Sequence, residues 1–146
     1  MSISTAENVT MSKNKGETGR LKKRIGTMTG KVVRGNKIGR TIGFPTANLS
    51  IDKEDLSLEK GVYGVRVFHD NHLYLGIMNI GTRPTINSKD LKIHYEVHIL
   101  NFSQMIYDQI LTIDVCFFIR KETKFNSLDQ LVGQITRDID FVQKRF

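Results

Sequence analysis

Thr46 and Asn48 lie two residues apart, directly after Pro45. The proline ring favours an extended chain there, so both side chains project from the same side. Their neutral oxygens suit a hard cation that keeps most of its waters and takes its negative ligands from substrate phosphates, which fits magnesium-nucleotide better than a free metal. Two turn-capping residues after a proline would show the same pattern. Glu96 is the next candidate. From Lys92 to Leu100 the residues alternate, with Ile93, Tyr95, Val97 and Ile99 on one face and His94, Glu96 and His98 on the other. Where the polar face lines a cleft, the Glu96 carboxylate can accept the proton of a substrate hydroxyl; where it does not, these residues are the solvated side of an antiparallel strand. His94 and His98 find no further ligand at a metal-site spacing, so zinc is not expected. Five glycines (Gly26, Gly30, Gly35, Gly39, Gly43) and Arg40 complete the set. A glycine loop with a forked guanidinium can cradle phosphate through backbone N–H groups. The generic phosphate motifs are excluded: there is no Gly-x-Gly-x-x-Gly, and Gly35-x-x-x-Gly39-Arg40-Thr41 is one residue short of a P-loop and has Arg where Lys is required.

These residues must be held by strands. Val62 to Phe68, Leu73 to Ile80, Lys92 to Leu100 and Ile110 to Arg120 read as short strands bounded by turn signals, with Asp70-Asn71 as a hairpin tip. Connectors too short for crossover helices imply antiparallel pairing, hence a barrel or a sandwich. Gly26 to Gly43 reads as a flexible glycine loop. Only the C-terminal element is helical. Ser127 and Gln130 have capping-box spacing, and Leu128, Leu131, Val132, Ile135, Ile139, Val142 and Phe146 form one apolar face, expected to lie across the sheet as a lid on the core.

The chain has 146 residues, enough for one domain with its own core. Residues 1–24 are polar and without periodicity and read as a disordered basic tail, and the folded domain is expected over 25–146. The net charge is +7, of which +5 falls in residues 1–31. A nearly balanced body argues against nucleic acid as a partner, although a basic total would suggest one. Neither a membrane-length apolar run nor a secretory signal is present in this sequence, so a cytoplasmic protein without membrane contact is expected. Cys116 is the sole cysteine, within Val115-Cys-Phe-Phe118, and reads as a buried small hydrophobe. Of the aromatic residues Phe102, Tyr107, Phe117, Phe118 and Phe125, most are expected in the core.

In chain order, Gly30-Lys-Val-Val-Arg-Gly35 with Gly39-Arg40, Gly43-Phe-Pro-Thr-Ala-Asn48, Gly61-Val-Tyr-Gly-Val65, Met78-Asn-Ile-Gly-Thr-Arg-Pro-Thr85, Glu96-Val-His-Ile-Leu100 and Phe118-Ile-Arg-Lys-Glu122 with Lys124-Phe-Asn-Ser-Leu128 resemble the riboflavin kinase family, including the kinase half of bifunctional riboflavin kinase/FAD synthetases. The resemblance spans about residues 28–146. It implies a mainly β fold, a six-stranded antiparallel Greek-key β-barrel with a C-terminal α-helix packed against it. The implied activity is transfer of the ATP γ-phosphoryl group to the ribityl 5′-hydroxyl of riboflavin, giving FMN and ADP. By the same resemblance Thr46 and Asn48 hold Mg²⁺ and nucleotide phosphate, Gly35 and Arg40 belong to the loop closing over ATP, and Glu96 is the general base. Ile99 and Tyr107 match positions near the nucleotide, and Arg120 and Phe125 match positions near the flavin. One departure stands out: the family's Tyr-Gly is Tyr107-Asp108 here. The adenylyltransferase half has no counterpart before Gly30, so a monomer that makes FMN and no FAD is expected. Alternatives are a non-catalytic flavin-binding regulatory module, or the separated kinase part of a FAD synthetase.

Overall fold

Strand β1 (Gly26–Val33) comes from residues whose glycine content suggested a loop. It buries Met28, Gly30 and Val32 and exposes Thr27, Thr29 and Lys31, the period-2 pattern of a half-buried strand. Glycine density masked that pattern, because Gly30 serves packing rather than flexibility: a Cβ there would meet Ile51 Cδ1 at 2.5 Å on the neighbouring strand. The computed structural model describes residues 25–34, 43–52, 57–84 and 91–146. The expected tail over 1–24 and the phosphate-loop residues Gly35 and Arg40 lie outside them.

After β1 come β2 (Ala47–Ile51), β3 (Gly61–His69), β4 (His72–Pro84), β5 (Leu91–Ile99) and β6 (Ile110–Arg120). They close into an antiparallel barrel in the order β1-β2-β5-β4-β3-β6. Three consecutive strands, β3 to β5, form a meander, and β6 returns beside β3. That is the Greek-key arrangement the resemblance implied. Asp70 and Asn71, both at positive φ (49° and 63°), make the two-residue turn between β3 and β4, where such dihedrals match the twist of the strands. Inside the barrel Val65, Val67, Val97, Leu111, Ile113 and Val115 are fully buried.

Helix α1 (Leu128–Arg145) starts at Ser127, whose hydroxyl accepts from the Gln130 N–H at 3.2 Å. The Gln130 side chain reaches back to the Asn126 N–H, one residue earlier than an ideal capping box. The helix is not a lid on the barrel interior. A closed sheet seals its own core, so the helix instead covers part of the outer wall, where Val142 and Ile139 pack with Val62, Ile77, Leu100 and Ile119 in a second apolar cluster. Leu128 and Phe146, the ends of the expected stripe, are exposed. Among the described residues no helix is long and apolar enough to cross a membrane.

Two smaller expectations shift. Cys116 is half-buried rather than buried, and its Sγ–H donates to the Asp114 carbonyl. Partial burial raises its thiol pKa, with Asp114 adding to that effect and Arg66 opposing it. Among the aromatic residues, Phe118 is exposed rather than core and meets the Tyr63 ring edge-on.

Candidate active site

Residues directly opposite each other on antiparallel strands project from the same face. Asn48 faces Glu96 across β2 and β5, Glu96 faces Asn79 across β5 and β4, Asn79 faces Val62, and Val62 faces Arg120 on β6. This row crosses five strands of the outer wall. It explains how residues spread over more than seventy positions meet in one place.

Above the row is a cavity of about 230 Å³ lined by Thr46, Asn79, Glu96, His98, Arg120 and Phe125, with the helix side chains Leu131, Ile135 and Asp138 opposite. The apolar stripe of α1 thus divides: its N-terminal half faces the cavity and its C-terminal half packs on the barrel. A second cavity of about 250 Å³ lies between Val32, Val97 and Ile99 and the loop from Phe102 to Tyr107. Thr46 lines both cavities. The residues matched to the nucleotide, Ile99 and Tyr107, are therefore on one side of Thr46, and those matched to the flavin, Arg120 and Phe125, on the other. Asn48 lines neither cavity; it is buried opposite Glu96.

Position at this junction is set by the entry to β2. Gly43 turns the chain at φ +90°, a conformation other residues adopt only with strain, so Phe44 to Thr46 can cross β5. The His98 Nδ1–H donates to the Pro45 carbonyl at 2.7 Å, and the Phe44 ring meets the imidazole edge-on with centroids 5.7 Å apart. Burial lowers the His98 pKa, against a smaller raising effect of the Pro45 hydrogen bond. The imidazole thereby straps the residue preceding Thr46 to the strand that carries Glu96.

Arg120 is held as firmly. Its Nε–H and Nη2–H donate to the Asp138 carboxylate at 2.8–3.1 Å, and Nη1–H donates to the Lys121 carbonyl. Gln134 adds a bond to Asp138 Oδ1 at 2.9 Å. With those donors engaged on protein, what Arg120 presents beside Phe125 is chiefly the planar guanidinium, 5.8 Å from the ring centroid. At the second cavity Arg34 lies over the Tyr107 ring at 4.4 Å. At the Tyr107-Asp108 departure Asp108 adopts φ 66°, and its N–H donates to the Val32 carbonyl. Aspartate here takes the left-handed conformation a glycine would take.

Several of these residues were not singled out from sequence. In the sequence His98 stands out only as a candidate zinc ligand, since alternation shows which face a residue occupies and not what crosses it. Asn79 and Glu122 sit inside quoted motif blocks without an assigned role. Asp138 is a polar residue one turn after Gln134 on an otherwise apolar stripe, and that interruption was the available signal.

A closed Greek-key barrel with two adjoining cavities, one beside a carboxylate and both lined by Thr46 at the entry to β2, defines a class that known proteins share. The chain belongs to the flavokinase family: the riboflavin kinase family model matches residues 22–146. It is 44% identical over 118 residues to the bifunctional riboflavin kinase/FMN adenylyltransferase of Haemophilus influenzae, covering 80% of this chain and 37% of that protein. It is 41% identical over 119 residues to the RNA-binding riboflavin kinase RibR of Bacillus subtilis, covering 82% and 50%. The chain therefore spans half or less of the length of these relatives. Riboflavin kinase from Trypanosoma brucei has the same fold, with a TM-score of 0.57 at 25% identity, covering 81% of this chain and 77% of that one.

Proposed function

We propose that the chain is an ATP:riboflavin 5′-phosphotransferase. The observation that carries this reading is the placement of Thr46 between the two cavities: a residue touching both compartments is where two substrates can be brought within reacting distance. Riboflavin occupies the cavity of Glu96, Arg120 and Phe125, and ATP the cavity of Ile99 and Tyr107. Glu96 accepts the proton of the ribityl 5′-hydroxyl while that oxygen bonds to the γ-phosphorus and the bond from phosphorus to the ADP oxygen breaks. Gly35 and Arg40 are assigned to the phosphates on the resemblance alone.

By the resemblance Thr46 and Asn48 would hold Mg²⁺; Thr46 lines both cavities, whereas Asn48 is buried behind it, and uncharged oxygens of this kind leave the negative ligands to the phosphates. When bound, the cation neutralises phosphate charge. The protein's part is to fix the reactants and keep Glu96 ready for the proton. A cytoplasmic monomer acting without nucleic acid or membrane is the setting proposed.

The Bacillus relative's name favours a second reading, in which the barrel binds flavin and serves an RNA-linked regulatory role. Incubating purified protein with riboflavin, ATP and Mg²⁺ and separating the flavins by chromatography decides between them. FMN formation supports the kinase; FMN binding with no FMN formed would put the regulatory reading in its place.

A further inference from the structure

Asn79 projects into the main cavity from β4, directly opposite Glu96 on β5. Its Nδ2–H donates to Glu122 Oε2 at 3.3 Å, which fixes the orientation of the amide. Its Oδ1 is buried and has no hydrogen-bond partner among the described residues. Buried acceptors are almost always satisfied, so this one calls for a donor that the described residues do not supply. The same residue, with Glu96 and Glu122, also lines a polar hollow of about 10 Å³ continuing from the cavity wall.

Around Asn79 this wall presents mainly acceptors, beside Thr82 and His94, which can also donate. Glu96 and Glu122 are acceptors when ionised, and the unmatched atom of Asn79 is an acceptor as well. A planar ring has little to offer there, whereas a chain of hydroxyl groups offers donors at short intervals. We infer that Asn79 is a specificity-determining contact for the polyol chain of the flavin, accepting a hydrogen bond from one of its hydroxyls at Oδ1 and so fixing how the chain runs past Glu96. The assignment rests on the reading of the main cavity as the flavin side.

Two ligands separate the possibilities: riboflavin, and lumiflavin, which has the same ring system with a methyl group in place of the polyol. Each is titrated into wild-type protein and N79L with Mg²⁺ and ADP present, following quenching of flavin fluorescence. The inference requires N79L to bind riboflavin roughly fivefold or more weakly, the scale of one lost hydrogen bond, with lumiflavin affinity unchanged within twofold. N79S, which keeps a hydroxyl acceptor, should lose less than N79L; if N79L does not fold, N79A carries the same comparison. Equal losses for both flavins, or none for either, would overturn the assignment of Asn79 and leave the flavin site standing. Wild-type protein that binds neither flavin would instead remove the flavin reading itself.

Discussion

Asp108 shows how a single backbone dihedral constrains residue choice. At φ 66° a Cβ crowds the following carbonyl, at a cost of about 1–2 kcal/mol that aspartate tolerates better than branched residues. Asp108→Val should therefore destabilise the fold by about 2 kcal/mol, and Asp108→Gly should stay within about 1 kcal/mol of wild type, both read by urea unfolding. Cys116 is a second residue whose behaviour follows from its surroundings. Burial raises its pKa above the ordinary 9.0 of a thiol, with Asp114 assisting and Arg66 opposing. An acid whose folded pKa is raised contributes stability that is complete below its unfolded pKa and is lost as pH rises past it. Wild-type protein should accordingly lose more stability between pH 8 and pH 10 than Cys116→Ala, and equal losses would exclude a contribution from the thiol.

Between elements, the join that shapes the site is the one from β6 to α1. Asp138 is 2% exposed and takes its hydrogen bonds from Arg120 and Gln134, so removing its charge strands a guanidinium whose side chain is 20% exposed. Asp138→Asn should cost about 3 kcal/mol, the lower end for breaking a buried pair because Arg120 keeps some contact with water, and should weaken flavin binding by loosening the helix wall of the cavity. Chemical denaturation and flavin titration check the two parts. Ser127→Ala, which removes the helix cap outside the cavity, should cost about 1 kcal/mol with flavin affinity retained. Helix α1 was legible because its 3-and-4 spacing runs over eighteen residues with a cap in front. Strand β1 was not, because glycine has no hydrophobicity to mark the buried face and Gly30 is buried for a reason located on β2. The helix's docking face was legible only as apolar, since whether it covers a sheet or the outside of a closed barrel depends on closure, which is a property of all six strands together.

Across the whole molecule, the barrel brings Thr46, Glu96 and Arg120 together although 74 positions separate the first from the last. The ordered motif blocks named the family and pointed to these residues, but strand register put them in one row, and register is set by the complete sheet. The contacts that were missed, Asn79 to Glu122 and His98 to Pro45, join segments 43 and 53 residues apart, for which a single sequence carries no local signal. The most direct test of the central claim compares wild type with Glu96→Gln in FMN formation at saturating Mg-ATP, alongside riboflavin affinity. A general base at Glu96 predicts a kcat lower by about 100- to 10,000-fold with riboflavin still bound within about twofold of wild type; a Glu96→Gln protein with full turnover would contradict it.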